Sequence, residues 1–390
     1  MSGTLSETTV LGLTDELFAQ AVESGASDVH IEPQGDLTRV RYRIDGLLRE
    51  VKSMPQKLGA AVISRIKIIS GMDIGEKRIP QDGRFHLFYN ERRIDLRASA
   101  MPTIHGEKIA VRVLDKGNTD LFNIRGVGLN PESLSEFTKA LNRAGGLILI
   151  TGPTGSGKTT TLYAALNEVN QAGKNIVTVE DPVEYLIKGI NQIQVNVKAG
   201  LTFASSLRSI LRQDPDIIMV GEIRDKETAG VAVRAAVTGH LVLATMHTNN
   251  AAGAITRLID MGVEPYMVAS AVGLTTAQRL VRINCSQCGK KYPLEEGSME
   301  RFFLGLTPEQ PVTLIKGSGC PDCGYSGYRG RMAIHEVLPA TTELRRRILE
   351  SNPGEEAVYR FGNEAGGLKE DGVRKIMAGL TTVEEVRRAL

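Results

Sequence analysis

Residues 152–160 read Gly-Pro-Thr-Gly-Ser-Gly-Lys-Thr-Thr, and Gly152, Gly157, Lys158 and Thr159 match the spacing G-x-x-x-x-G-K-[ST]. Glycines let the backbone curl until successive N–H groups face a phosphate. Lys158 brings a positive charge to the β- and γ-phosphates, and the Thr159 hydroxyl can ligate Mg²⁺. The apolar run LILI precedes this stretch and a helix-forming run follows it. The loop therefore sits at a strand-to-helix turn, where the helix N-terminus adds its own attraction for anions. Gly152, Pro153, Thr154, Gly155, Ser156, Gly157, Lys158, Thr159 and Thr160 are the expected nucleotide-binding residues.

Three more polar clusters follow short apolar runs. NIVTV leads into Glu180-Asp181-Pro182-Val183-Glu184, DIIMV into Gly221-Glu222-Ile223-Arg224-Asp225, and HLVLATM into His247-Thr248-Asn249. In a parallel sheet these ends share one edge with the phosphate loop, the edge where such sheets bind ligands. Glu180, Glu222 and His247 are then expected to converge on one nucleotide. Glu222 is the kind of acid that polarises water for attack on a γ-phosphate, or holds Mg²⁺ through water. His240, at the start of its strand, is a weaker candidate, because a histidine there is often only a satisfied hydrogen-bonder.

The four cysteines fall in two Cys-x-x-Cys turns, Cys285/Cys288 and Cys320/Cys323. Four thiolates in two such turns can close a tetrahedral Zn²⁺ site with no position left for chemistry. A redox reading needs one pair at a helix start in a thioredoxin-like context, which neither has. Unmetallated thiols are the other alternative. The expectation is a structural zinc.

The elements that must position these residues divide the chain by pattern. Residues 1–115 mix short strands and helices: DVHIEP and RVRYRIDGLLREV alternate as strands, with Asp45-Gly46 as a hairpin signal, and AAVISRIKIIS has helical spacing. Residues 116–130 read as a linker running into a helix start at Asn130-Pro131. Residues 131–282 alternate buried strands with helices, an α/β domain. Residues 283–332 hold the cysteines, and 333–390 read as a helical region.

Bulk composition narrows the function classes. The 390 residues are 42% hydrophobic and 24% charged, with a net charge of +2. That balance is too mild for a phosphate-backbone surface, so no nucleic-acid partner is expected. No long apolar run suggests a membrane span and the N-terminus lacks signal-peptide features, so a cytoplasmic protein is expected.

Taken together, SDVHIEP, RIPQDGRF, RASAMPTIHGEKIAVRVLD, GPTGSGKTTTLY, VTVEDPVEY, LRQDPDIIMVGEIRD and TGHLVLATMHTN resemble the successive motifs of the GspE/PilB secretion ATPases. That family powers type II secretion and type IV pilus assembly. The resemblance implies a RecA-like P-loop motor domain, a smaller N-terminal α+β (PAS-like) domain and a zinc-binding insertion, in a subunit that assembles as a homohexamer. It implies that Glu180 helps place Mg²⁺ or water, that Glu222 is the catalytic glutamate, and that His240 and His247 sense the γ-phosphate. It also implies that Arg97 and Arg112 reach the nucleotide phosphates, as an arginine finger would. Arg208 and Arg212 are candidates for the same interface. An inner-membrane platform protein is the implied partner, with peripheral membrane association through it.

Two departures bear on the branch. Pilus-assembly and secretion members often carry further N-terminal docking domains. Here the first motif begins near residue 24, so those domains are expected to be missing. A short N-terminus also resembles the pilus-retraction branch, which generally lacks the cysteine segment. DNA uptake is another use of the same motor. Readings from other classes are a nucleic-acid translocase, marked by stimulation of hydrolysis by DNA or RNA, and a nucleotide-gated scaffold without turnover.

Overall fold

The computed structural model describes residues 7–115, 122–307, 310–350 and 366–390. The chain forms two compact units, Met1–Thr119 and Asp120–Leu390.

The first unit contains α1 (Glu7–Glu23), β1 (Ala26–Gln34), β2 (Leu37–Ile44), β3 (Leu47–Pro55), α2 (Gln56–Ile69), β4 (Gln81–Tyr89), β5 (Arg92–Thr103) and β6 (Gly106–Asp115). Its strands form one antiparallel sheet in the order β3-β2-β1-β6-β5-β4. Alternation along each strand sends Val29, Ile31, Val40, Ile94, Leu96, Ile109 and Val111 into a core shared with Leu17 and Phe18 of α1 and Val62 and Ile66 of α2. The expected hairpin at Asp45-Gly46 is present, with φ of 49° and 84° at the two residues. The opposite sheet face carries charge: Arg84, Arg97, Arg112 and Asp28 lie side by side in register on β4, β5, β6 and β1.

The second unit opens with a single 3₁₀ turn, Ile124–Gly126, followed by α3 (Pro131–Leu141) and β7 (Gly146–Thr151). Asn130 caps α3 by accepting from the Ser133 N–H, with Pro131 in the first turn, as the Asn-Pro pair predicts. There follow α4 (Lys158–Val169), β8 (Ile176–Glu180), β9 (Asn191–Gln194), α5 (Phe203–Ile210), β10 (Ile217–Val220), α6 (Lys226–Val237), β11 (Leu241–Met246), α7 (Ala251–Asp260) and α8 (Pro265–Ala271). The chain continues through β12 (Val272–Asn284), β13 (Gly289–Pro293), α9 (Met299–Leu304), β14 (Thr313–Gly317), β15 (Tyr328–Pro339), α10 (Thr342–Leu349), α11 (Leu368–Met377) and α12 (Val383–Ala389).

Seven strands form the main sheet in the order β15-β12-β7-β11-β10-β8-β9. Neighbours are parallel except β15, which runs antiparallel to β12. The four expected apolar runs are its four central buried strands, β7, β11, β10 and β8. Each is covered on both faces, which is why the sequence shows unbroken apolar residues there instead of alternation.

Two boundaries differ from the sequence reading. Residues 116–121 of the expected linker lie outside the described residues. The rest of it is packed, with Phe122, Ile124 and Val127 buried in the second unit's core. At the other end, β15 crosses the expected boundary at 332/333 and returns to the main sheet along β12. The cysteine segment is therefore an insertion between two paired strands. In AIHEVL the strand buries His335 and Glu336, and those polar residues hid its period. Residues 351–365 of the expected helical region lie outside the described residues.

Candidate functional site

The loop between β7 and α4 is shaped by backbone that only glycine adopts readily: φ is 147° at Gly152, 78° at Gly155 and 89° at Gly157. A Cβ on Gly152 would meet the Gln278 carbonyl oxygen at 2.5 Å, so β12 presses on the loop from behind. Gln278 is buried. Its Nε2 donates to the Ser156 carbonyl at 2.7 Å, and its Oε1 accepts from Thr161 Oγ1 at 2.9 Å. Lys158 Nζ folds over the loop and donates to the Gly152 and Pro153 carbonyls at 2.8 and 3.0 Å. Burial is the largest influence on this ammonium and pulls it down to about 8. The Ser156 hydroxyl is buried without a hydrogen-bond partner. A glycine cradle, an ammonium above it, an orphaned buried hydroxyl and a helix N-terminus fit a polyphosphate.

The parallel register carries the other strand ends to this edge. Thr151 lies opposite Met246, and Val220 lies opposite both Ala244 and Val179. Two residues beyond β10, Glu222 is held at both oxygens: His247 Nε2 lies 2.8 Å from Oε1, and Arg224 Nη2 lies 2.6 Å from Oε2. His247 sits below its ordinary value through burial, with the positive charge of Lys158 acting in the same direction. Its loop is fastened to the phosphate-loop strand, because the Thr248 N–H donates to Thr151 Oγ1 at 2.8 Å. Lys158, Glu222 and His247 thus form one electrostatic cluster, as their sequence positions predict.

Other expected residues are placed differently. Glu180 points into the protein instead of across the loop. It is 4% exposed and accepts from Tyr163 Oη at 2.5 Å, Thr178 Oγ1 at 2.7 Å and Gln192 Nε2 at 3.0 Å. It is the next residue, Asp181, whose charge is felt by Arg224. Glu180 ends β8 and Asp181 begins the loop beyond it, so the two adjacent acids have different surroundings. His240 is corrected more strongly. It precedes β11, at the end of the strand away from the loop, and its Nδ1 pairs with the Ala235 carbonyl at 3.0 Å. The length of β11 separates it from His247 by about 20 Å, so within this subunit it touches no phosphate on Lys158.

Arg97 and Arg112 lie in the first unit, cross-strand neighbours on the sheet face opposite its core, with Arg112 Nε 3.3 Å from Asp28 Oδ1. Arg208 is on the exposed face of α5 and pairs with Glu227 at 2.5 Å, while Arg212 donates back to the Arg208 carbonyl at 2.9 Å.

Sequence reasoning missed Arg224, Gln278 and Arg279. Buried Arg279 donates to the Asn249 carbonyl at 2.7 Å and so holds the loop that carries His247. The available signal was the polar pair Gln278-Arg279 in the middle of β12, whose sequence is VGLTTAQRLVRIN. A charge in the middle of a buried strand needs a partner and marks a place worth explaining.

The cysteines come together as expected. All four sulfurs lie within 4.8 Å of one another. Cys285 and Cys320 are 3.7 Å apart, Cys288 and Cys323 3.9 Å, and Cys320 and Cys323 3.7 Å. Sulfurs held at about 2.3 Å from a tetrahedral zinc would be about 3.8 Å apart. Backbone N–H groups aim at the sulfurs: Gly319 at Cys288 (3.3 Å), and Cys320 and Gly327 at Cys323 (3.2 and 3.3 Å). Burial pushes the Cys323 thiol up, but these donors outweigh it and favour the thiolate. The donor set fits a closed Zn²⁺ site.

These features agree with what the chain resembles. The family described as Type II/IV secretion system protein matches residues 4–388. The type II secretion system ATPase E of Vibrio cholerae serotype O1 is 45% identical over 97% of this chain and 75% of its own length. The type IV pilus assembly ATPase PilB of Acinetobacter baylyi is 46% identical over 98% of this chain and 66% of its own. Among solved structures, the pilus retraction motor PilT with bound ADP is 26% identical with a TM-score of 0.63, covering 96% of both chains. The Legionella pneumophila ATPase DotB, 21% identical over 97% of this chain and 95% of its own, shares the fold with a TM-score of 0.70. With a phosphate loop, acid and histidine gathered at one sheet edge and a matching family over nearly its full length, this chain belongs to the type II/IV secretion system ATPase family.

Proposed function

We propose that this protein is the ATP-hydrolysing motor of a type II secretion or type IV pilus assembly machine. The observation that carries the reading is the Glu222 carboxylate, bridged to His247 and Arg224 at the mouth of the Lys158 loop. The loop amides and Lys158 bind and neutralise the triphosphate. Glu222 orients and deprotonates the attacking water, with His247 fixing its near oxygen and reporting on the γ-phosphate. Thr159 and Glu222 are the residues that would hold Mg²⁺, which when bound neutralises charge on the β- and γ-oxygens. Arg97 and Arg112 supply further positive charge to the phosphates when the first unit closes on the nucleotide. Arg208 and Arg212 contribute at the boundary between subunits.

The subunits work as a homohexamer, and the cycle of binding and release rotates first units against motor units. That rotation acts on a platform protein of the inner membrane, which places the motor on the cytoplasmic face. Among the described residues no helix is long and apolar enough to cross a membrane, so the association runs through the partner. Zn²⁺ on the four cysteines is architectural. The cysteine insertion favours assembly or secretion, although PilT and its retraction function have a similar fold.

The test is steady-state phosphate release by the purified oligomer, with sedimentation to fix its subunit number. Mg²⁺-dependent turnover that disappears in Lys158→Ala supports the reading. Turnover that survives in Lys158→Ala overturns it.

A further inference from the structure

Phe122 stands where the chain enters the second unit. Its ring is buried edge-on against two tyrosines, with centroids 5.4 Å from Tyr163 at 68° and 5.1 Å from Tyr185 at 70°. Tyr163 and Tyr185 close the triangle at 5.9 Å and 82°. Asn167 Nδ2 also donates to the Phe122 carbonyl at 3.3 Å. Tyr163 and Asn167 are one turn apart on α4, the helix that begins at Lys158. Tyr185 lies in the loop between β8 and β9, directly after the acidic stretch that follows Glu180.

Tyr163 does more than fill this core. Its hydroxyl donates to Glu180 Oε2 at 2.5 Å and receives longer contacts from the Glu184 and Tyr185 N–H groups at 3.3 and 3.4 Å. One fully buried side chain therefore joins three segments that are distant in sequence: the phosphate-loop helix, the acidic loop and the segment entering from the first unit. A purely apolar core would need the ring but not the hydroxyl, and burying a phenol against a carboxylate is costly unless the bond is kept. Edge-to-face rings in a packed core have discrete arrangements, so a shift of α4 repositions its neighbours instead of being absorbed.

We propose that Tyr163 is a positioning residue that couples the phosphate-loop helix both to the acidic loop beside Glu222 and, through Phe122, to the segment linking the two units. Nucleotide binding at the loop is thereby passed to the first unit. This rests on the reading of the Lys158 loop as an ATP site.

The test uses the full chain carrying a fluorophore pair, one on each unit, at exposed Lys57 and Gln171, introduced as non-natural residues that spare the cysteines. A non-hydrolysable ATP analogue is titrated in, and turnover is measured separately. Phe122→Leu keeps an apolar side chain. It is expected to bind the analogue as wild type does but to show a nucleotide-dependent transfer change reduced about twofold or more. Tyr163→Phe keeps the ring and loses the hydroxyl. It is expected to lower kcat about tenfold at unchanged KM, the size of one lost hydrogen bond to a charged group. Phe122→Leu that is less heat-stable yet shows the full wild-type transfer change overturns the proposal, since a structural role alone gives that result. Tyr163→Phe with wild-type kcat does the same. A wild-type chain that fails to bind the analogue removes the ATP-site reading itself, and the inference with it. A wild-type chain that binds it with no transfer change removes only the coupling.

Discussion

His247 Nε2 lies 2.8 Å from Glu222 Oε1, while the other oxygen of that carboxylate is taken by Arg224 at 2.6 Å. Both oxygens of the acid are thus held, one by His247 and one by Arg224. Glu222→Gln keeps the shape and the contact to His247 but cannot take a proton. It is expected to bind ATP within about threefold of wild type and to lose about 100-fold or more in turnover. Equilibrium nucleotide binding alongside phosphate release checks this, and normal hydrolysis by the variant would remove Glu222 from the catalytic role.

Lys158 gives a pH prediction. Its ammonium is drawn from 10.5 to about 8 by burial, so a growing fraction is neutral as pH rises past 8. A triphosphate favours the charged form, so binding between these values takes up a proton. ATP affinity is expected to weaken as pH rises above about 8. Calorimetry in buffers of different ionisation enthalpy should show proton uptake near pH 9, absent in Lys158→Met.

The segment 127–128 is pinned to the core by two titratable side chains. His335 Nε2 is 3.0 Å from the Val127 carbonyl oxygen, which makes Nε2 the protonated nitrogen. Lys375 Nζ donates to the Gly128 carbonyl at 2.7 Å and to Asp371 at 2.6 Å. Burial is the main reason His335 falls from 6.5 to about 4, with the Lys375 charge adding to it. A histidine whose value is lower folded than unfolded binds fewer protons in the folded state. Stability is therefore full above about 6.5 and falls as pH drops through 6.5 toward 4. Urea midpoints at pH 7 and pH 5 should differ by more in wild type than in His335→Gln, and equal shifts would discard the assignment.

Metal removal tests the cysteine cluster. Metal analysis should find one zinc per chain, and chelation should lower the unfolding temperature by several degrees. Cys320→Ser is expected to lose the zinc and to reproduce the chelated melting curve. A Cys320→Ser chain with undiminished zinc and stability would show that the four sulfurs are only neighbours.

Much of this molecule was legible in its residue order because the signals are local. The phosphate loop needs consecutive residues with special backbone freedom, so its glycines and lysine reveal it at once. Four unbroken apolar runs announced the buried parallel strands, and two Cys-x-x-Cys turns announced a four-sulfur cluster. Tertiary structure decided what depends on direction and on distant partners. Glu180 and Asp181 are adjacent in the chain, yet Glu180 hydrogen-bonds Tyr163, Thr178 and Gln192, while the charge of Asp181 is felt by Arg224. His240 and His247 belong to one motif, but β11 runs between them and leaves only His247 at the loop. Gln278 and Arg279 reach the site from β12, more than a hundred residues downstream of the loop they support. Side-chain direction and long-range strand pairing follow from which surfaces pack together, and no stretch of sequence states that by itself.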